Sequence, residues 1–181
     1  MLVNKNFKNS WIQTYSGKQF FPLNPDKNQI CIEDIAHSLG KICRFNGHSK
    51  TFYSVAEHSI YVSQKVSKEN MLWGLLHDAS EAYLGDIPKP IKPYLHGYKE
   101  IENALCQCIA SKFNLPYPIP IEVKITDTRI LRDEADQLME ERRNPWSQLV
   151  LPGFGIKINK YNHSEATSKF LERYHHLIKP G

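Results

Sequence analysis

The chain has 181 residues, of which 41% are hydrophobic and 23% are charged. This composition is ordinary for a soluble globular protein, and the length predicts a single domain, residues 1–181, with a core of its own. The net charge of +4 comes from scattered lysines and arginines, which fits anionic small molecules and argues against a nucleic-acid partner.

We expect no membrane partner. No run of about 18 apolar residues occurs, and residues 1–10 lack an apolar stretch of signal-peptide length. The cysteines, Cys31, Cys43, Cys106 and Cys108, include no Cys-x-x-Cys pair, so free thiols in a reducing compartment are expected. These features predict a cytoplasmic protein, or one that acts in the host cytoplasm if a phage encodes it.

Two pairs of short strands are predicted in the first part of the chain. The first pair lies in residues 11–21, on either side of a turn at Ser16-Gly17. The second pair surrounds Asn46-Gly47, a dipeptide that is typical of tight hairpins.

The rest of the chain has the periodicity and the boundary residues of α-helices. Ser54 and Glu57 form a capping-box sequence, in which Ser54 caps a helix and Glu57 reaches back to its start. Residues 144–160 are predicted to be irregular. The predicted helices cover residues 32–39, about 54–62, 70–84, 97–113, 121–141 and 164–178. The fold is therefore expected to be mainly α, with a small β element near the N-terminus.

Three short segments supply side chains that bind divalent metals in proteins. They contain His58, the pair His77-Asp78, and Asp127. Imidazole and carboxylate groups together suit a divalent cation that keeps positions open for a substrate. On one continuous helix, Glu81 would share a face with His77 and Asp78, which lie four and three residues before it. Glu81 would then be placed for acid/base work, although an exposed helix glutamate is the plainer interpretation.

Other residues of this set also have ordinary structural interpretations. Asp78 could be a core aspartate that caps another element through satisfied hydrogen bonds, and His58 could be a histidine on the surface or at the edge of the core. On the helix predicted over 121–141, the apolar periodicity does not decide whether Asp127, Asp133 or Asp136 lies on the buried face.

The order His, then His-Asp, then Asp, on successive helices, resembles the HD superfamily of metal-dependent phosphohydrolases. The resemblance covers about residues 30–140 and is carried by segments 43–45, 54–59, 76–92 and 124–127. It is closest to the nucleotide-acting branch that includes bacterial 5′-deoxynucleotidases. The chain is also similar to compact phage enzymes that degrade dATP to nucleoside and triphosphate. The resemblance implies an HD-domain helical bundle.

The resemblance also implies a metal site. One divalent transition metal (Co, Mn, Zn, Fe or Ni) would be held by four ligands, His58, His77, Asp78 and Asp127. Glu81 would act as the catalytic acid or base, and Asp78 would serve catalysis as well as the metal.

Cationic side chains near these ligands are candidates for binding phosphate. Arg44 can bind a phosphate group through two parallel hydrogen bonds. Lys89, in a proline-rich loop, is the second candidate, and Lys92 and His48 are weaker ones. Each of the lysines could also be a solvated surface residue.

Contacts to the sugar and the base are implied by the resemblance. Asp86 would accept a hydrogen bond from the sugar 3′-hydroxyl and leave little room for a 2′-hydroxyl. Phe45 and Pro90 would form apolar walls for the base. The sequence departs from the branch at Phe45, because tryptophan typically follows the arginine there.

Together these features predict an enzyme that hydrolyses small deoxynucleotides, and we expect a homo-oligomer. A dATP triphosphohydrolase, releasing deoxyadenosine and triphosphate, is favoured because Arg44, His48, Lys89 and Lys92 could bind a triphosphate. The alternative is a 5′-deoxynucleotidase that acts on monophosphates. A nucleotide-binding regulator without catalysis and a phosphodiesterase of cyclic dinucleotides or oligonucleotides are further alternatives.

Overall fold

Helices make up most of the part of the chain that the computed structural model describes, residues 10–141 and 143–179. A two-stranded antiparallel sheet, β1 (Ile12–Gln13) and β2 (Gln19–Phe20), precedes them. The α-helices are α1 (Ile32–Leu39), α2 (Val55–Lys65), α3 (Met71–Leu76), α4 (Glu81–Leu84), α5 (Tyr98–Lys112), α6 (Ile121–Leu138) and α7 (His163–Ile178). The prediction of a mainly α-helical protein with a small N-terminal β element is confirmed.

The helices and the cysteines each bear on one further expectation. Across the described ranges, no helix combines the length and the apolar character needed to cross a bilayer. The four cysteines are free thiols of intermediate exposure, as predicted.

The N-terminal hairpin is held to the helices by aromatic packing. Ile12 lies opposite Phe20 in the ladder, on either side of the predicted turn. Phe20 is fully buried and stacks on Tyr83 of α4, with ring centroids 4.1 Å apart. Because a two-stranded ribbon is marginal alone, this buried ring anchors it.

The second predicted hairpin, around Asn46-Gly47, does not form. A single bridge joins Cys43 to Ser54, and Arg44–Gly47 forms a 3₁₀ turn. Phe45 and Asn46 both adopt left-handed backbone angles, with φ of 56° and 51°. This conformation ends the extended path that a strand requires, and for the bulky Phe45 it is unusual.

Helix α2 lies at the centre of the core, and residues 55–63 of it are all buried. It packs against α3, α6 and α7. Ser54 caps it as predicted, since its Oγ accepts a hydrogen bond from Glu57 N at 3.1 Å. The Glu57 side chain does not reach back to the helix start, so the second half of the predicted capping box is wrong.

Glu57 instead anchors a distant part of the chain to α2. Its carboxylate accepts hydrogen bonds from Tyr61 Oη at 2.8 Å and from the backbone N–H groups of residues 159–161 at 2.9–3.0 Å. A fully buried carboxylate needs several donors, and these donors satisfy it better than one backbone N–H at the helix start would.

The helix predicted over residues 70–84 is divided into α3 and α4. Between them, Ala79 N donates to Leu76 O at 3.0 Å and Glu81 N donates to Asp78 O at 2.9 Å. These bonds span three residues rather than four, so the chain turns more tightly than an α-helix at His77 and Asp78. The face shared by these residues and Glu81 is therefore set by a tight turn, and not by the continuous α-helix that was predicted.

The irregular segment between α6 and α7 follows the surface of α6, and it was predicted to be irregular. Asp133 accepts hydrogen bonds from Phe154 N at 2.7 Å and Gly155 N at 3.0 Å. Gln137 binds the backbone of Ile156 and Ile158. The segment therefore has a defined course without regular secondary structure of its own.

Candidate metal centre and its cavity

Side chains from three places in the fold bring ligand atoms together. His58 from α2, His77 from the α3–α4 turn and Asp127 from α6 each offer one atom, and these atoms lie within 4.8 Å of one another. His58 Nε2 is 3.2 Å from His77 Nε2 and 3.2 Å from Asp127 Oδ1. Bonds of about 2.0–2.2 Å to one cation place neighbouring ligand atoms about 3 Å apart, so the donor set fits a transition metal.

Asp78, the other predicted ligand, stands beside this group. Its Oδ2 is 3.2 Å from His77 Nε2 and 3.6 Å from His58 Nε2. The structure therefore brings the four predicted metal ligands together. Asp127 is the α6 aspartate in this group, whereas Asp133 binds the irregular segment.

Both imidazoles present Nε2 to the group because Nδ1 is used elsewhere. His77 Nδ1 lies 2.8 Å from the carbonyl oxygen of Gly74, and His58 Nδ1 lies 2.6 Å from Glu134 Oε1. An oxygen acceptor at Nδ1 places the proton there and leaves the Nε2 lone pair for a metal.

Gly74 sets the distance between the helices that carry the two histidines. A Cβ added to Gly74 would lie 2.8 Å from Ser63 Cα on α2, which is closer than side-chain carbons come to backbone atoms. Only glycine allows α3 to approach α2 this closely, and the approach brings His77 to His58.

Opposite charges attract one another within the group of candidate ligands. Burial and the Arg44 charge act to lower the pKa of His58, but Glu134 and Asp127 outweigh them and raise it to about 9. Burial acts to raise the pKa of Asp127, but its hydrogen bond to His58 and the charge of Lys89 hold that pKa well below its usual range. The candidate ligands are thus joined by ion pairs, which a divalent cation would replace.

Glu81, the predicted acid/base, begins α4 and is only 6% exposed. Its Oε2 is buried and has no hydrogen-bond partner among the described residues. Burial, followed by the nearby charges of Asp78 and Asp86, raises the pKa of Glu81 well above its usual value. A carboxyl group in this environment keeps its proton to a higher pH than an ordinary glutamate does, and it has a free oxygen to offer.

A cavity of about 520 Å³ is lined by the candidate ligands Asp78 and Asp127, though not by His58 and His77, and its size suits a small molecule. Every predicted catalytic and substrate-binding residue contributes to its lining: Arg44, Phe45, Asp78, Glu81, Asp86, Lys89 and Pro90. The ligand Asp127 and the weaker candidates His48 and Lys92 line it too.

Two of the predicted phosphate-binding cations, Arg44 and Lys92, are paired with glutamates. Arg44 Nη2 donates to Glu134 Oε2 at 3.0 Å, and its Nη1 is 3.6 Å from Asp78 Oδ2. Lys92 Nζ donates to Glu102 Oε1 at 2.8 Å. Arg44 therefore cannot use Nη2 for the two parallel hydrogen bonds to phosphate that were expected, because this nitrogen donates to Glu134.

Lys89 keeps more freedom than either of these cations. It is on the rim of the cavity, with 60% of its side chain exposed, and its Nζ donates to Asp127 Oδ2 at 3.1 Å. An exposed pair of this kind is weak, so Lys89 can leave Asp127 when a phosphate group or a metal arrives.

Other residues that line the cavity were not singled out from the sequence. Trp146, in the irregular segment, faces Phe45 with ring centroids 6.1 Å apart and an angle of 47° between the planes. Leu131 and Met139 lie on the same wall. Nothing local marks Trp146, since it reaches the cavity only through the path of the segment that carries it.

Glu134 was also missed, although it contacts both His58 and Arg44. The one sign in the sequence is its spacing from Asp127, seven residues or about two helical turns, which places both on one side of α6.

Comparisons with known proteins place the chain in a family. A scan against models of protein families finds no match. The chain is 38% identical over 172 residues to Uncharacterized protein YfdR of Escherichia coli, a match that covers 93% of this chain and 96% of the relative. It is 38% identical over 145 residues to Uncharacterized protein RCAP_rcc00048 of Rhodobacter capsulatus, covering 72% and 74%. The chain therefore belongs to the same protein family as YfdR.

Proposed function

We propose that the protein is a metal-dependent phosphohydrolase of the HD superfamily that acts on deoxynucleotides. The observation that carries this proposal is the meeting of His58, His77 and Asp127 beside a cavity that Asp127 lines together with Glu81, a buried residue whose Oε2 has no hydrogen-bond partner among the described residues. The helical bundle and the order of the ligands along α2, the α3–α4 turn and α6 support assignment to the HD domain.

The donor set supports a transition metal over calcium or magnesium. His58 and His77 supply nitrogen, which Mn, Fe, Co, Ni and Zn accept and which hard cations avoid. When bound, such a cation lowers the pKa of water and polarises a phosphoryl oxygen.

The chain's own groups would handle protons and charge. Glu81 lines the cavity and its pKa is raised, mainly by burial, so it would donate a proton to the leaving oxygen. Asp78 stays ionised, since the neighbouring His77 holds its pKa below its usual range in spite of burial. Lys89 would meet the negative charge of the phosphate at the rim.

The shape of the cavity supports a nucleotide. Phe45 and Trp146 offer aromatic surface on which a base could stack, and Pro90 adds an apolar edge. Asp86 also lines the cavity, where its carboxyl group would accept a hydrogen bond from the sugar 3′-hydroxyl. The nucleotide would thus lie between the aromatic wall and the carboxylates.

The first candidate reaction is hydrolysis of dATP to deoxyadenosine and triphosphate, with Lys89 and the exposed His48 near the outer phosphates. The second is removal of phosphate from deoxynucleoside monophosphates. The pairing of Arg44 with Glu134 and of Lys92 with Glu102 favours this second reaction, because it leaves both cations with fewer free N–H donors for the outer groups of a triphosphate.

One experiment tests the function and separates the reactions. Protein loaded with Co²⁺ or Mn²⁺ is incubated with each dNTP, each dNMP and their ribonucleotide counterparts, and nucleoside, phosphate, pyrophosphate and triphosphate are resolved. Intact triphosphate from dATP indicates the first reaction, and phosphate from dAMP with every dNTP untouched indicates the second. A His77→Ala, Asp78→Ala double variant is the control. Tight nucleotide binding without any turnover by the metal-loaded protein would instead identify a regulator.

A further inference from the structure

Glu134 is a buried carboxylate that joins the metal ligands to the substrate cavity. Its side chain is fully buried in α6. Oε1 accepts hydrogen bonds from His58 Nδ1 at 2.6 Å and from Tyr53 Oη at 2.8 Å, and Oε2 accepts from Arg44 Nη2 at 3.0 Å. Both oxygens are therefore committed, one toward the ligand group and the other toward the cavity.

We propose that Glu134 is a positioning residue that orients His58 for the metal and Arg44 for the substrate. This inference rests on the proposed metal centre and adds to it a residue that would touch neither metal nor substrate. Because Nδ1 of His58 donates to a carboxylate, its Nε2 is fixed as the metal-binding atom and becomes a stronger donor. The other oxygen holds the guanidinium of Arg44 at the cavity wall.

Packing alone gives no reason for a carboxylate at this position. A buried charge is costly unless it is paired, and an apolar side chain of similar volume would often fill such a site at no loss of stability. The charged partners of Glu134 are His58 and Arg44, one a candidate metal ligand and the other a cavity residue. The carboxylate is therefore placed where the site, rather than the core, uses it.

The neighbouring residue provides a matched comparison. Asp133 is also buried on α6, at 8% exposure, but it accepts hydrogen bonds from the backbone of Phe154 and Gly155. Changing either carboxylate to its amide removes one buried negative charge from the same turn of the helix. Only the change at Glu134 removes a partner of His58.

The test is the affinity of the purified full-length protein for Co²⁺, measured by competition with a chromophoric chelator. Glu134→Gln is expected to weaken Co²⁺ binding about 10- to 100-fold, the usual effect of losing a carboxylate behind a ligating histidine. Asp133→Asn is expected to bind Co²⁺ as the wild type does, even if it unfolds at lower temperature. Unchanged Co²⁺ affinity in folded Glu134→Gln, or an equal loss in both variants, would overturn the positioning role.

A second measurement needs no variant. Two-bond ¹H–¹⁵N spectra of the Zn²⁺-loaded wild type report which nitrogen of His58 carries the proton, and the expected atom is Nδ1. A proton on Nε2 would overturn the role of Glu134 and remove His58 from the ligands, whereas the bound Zn²⁺ would show that the metal centre itself exists. Wild-type protein that binds neither Co²⁺ nor Zn²⁺ would overturn the metal centre and the role of Glu134 together, so the two failures are distinguishable.

Discussion

Replacing Glu81 by glutamine should make the metal-free protein more stable at neutral and alkaline pH while it removes activity. The carboxyl group is buried, its Oε2 has no partner among the described residues, and burial is the main cause of its raised pKa. The carboxylates of Asp78 and Asp86 raise the pKa further, and the positive charges of Arg44 and Lys92 oppose them. Glutamine keeps the shape and cannot ionise.

Proton binding decides whether a rise in pH stabilises or destabilises the wild type. In the unfolded chain Glu81 loses its proton near its ordinary pKa, whereas in the folded protein it keeps the proton to a higher pH. Between these two values the folded state binds more protons, so the wild type loses stability as the pH rises. For one group the loss is at most about 1.4 kcal/mol per pH unit. In a domain of this length, that corresponds to about 3–6 °C in Tm per pH unit.

The assay is thermal unfolding of wild type and Glu81→Gln in the presence of a chelator, from acid to alkaline pH. The two proteins should have the same Tm at acid pH, and the Tm of the variant should increasingly exceed that of the wild type as the pH rises. Glu100→Gln on α5 is the control for losing an exposed carboxylate. In metal-loaded protein, kcat should fall about 10²–10⁴-fold with metal retained. Parallel Tm curves for wild type and Glu81→Gln would refute the reasoning, since Glu81 would then have no proton to donate.

Three further changes are predicted from single contacts. Lys89→Gln should tighten Co²⁺ binding up to about 5-fold in a chelator competition, because Asp127 loses an exposed competitor; weaker binding would contradict this. Glu57→Gln should lower the urea midpoint and cost about 1–3 kcal/mol in the free energy of unfolding, because the NH₂ group of glutamine would face a backbone N–H donor of residues 159–161. An unchanged midpoint would count against it. Trp146→Ala should raise KM about 5- to 150-fold, from about 1–3 kcal/mol of base stacking, and the exposed Trp11→Ala should not; equal KM values would remove Trp146 from the base site.

Local features of the fold could be predicted because short-range chemistry determines them. Helix α1 covers the predicted residues 32–39 and is followed by Gly40. Ser54 caps α2, and the turn at Ser16-Gly17 separates two strands as expected. In each case the residues that decide the structure are neighbours in the sequence.

The break between α3 and α4 could not be predicted in this way. A turn with hydrogen bonds three residues apart has nearly the same residue preferences as a turn of α-helix, so residues 77–80 show no local mark. The candidate ligands share an order along the chain with the HD superfamily, and the structure brings them together. The predicted position of Glu81, in contrast, depended on a continuous helix. What places Glu81 beside Asp78 is the tight turn and the burial around it.

Long-range contacts account for the part of the site that was missed. Glu134 and His58 are 76 residues apart, and their contact depends on how α6 packs against α2. Trp146 meets Phe45 through a segment without helix or strand, whose path no periodicity describes. Sequence patterns report which face of a helix is buried, and not which residue on another helix that face will meet.

Two buried carboxylates, Glu57 and Asp133, connect the irregular segment between α6 and α7 to the candidate metal site. Glu57, which binds residues 159–161, directly precedes His58, and Asp133, which binds residues 154 and 155, directly precedes Glu134. Gly153 lies so close to Asp133 that an added Cβ would stand 2.7 Å from its Cγ. A shift of the segment would therefore pull on the residues beside His58 and Glu134, and the same segment carries Trp146 into the cavity. The wall that would bind a base and the groups that would hold a metal are thus fixed by one set of buried carboxylates.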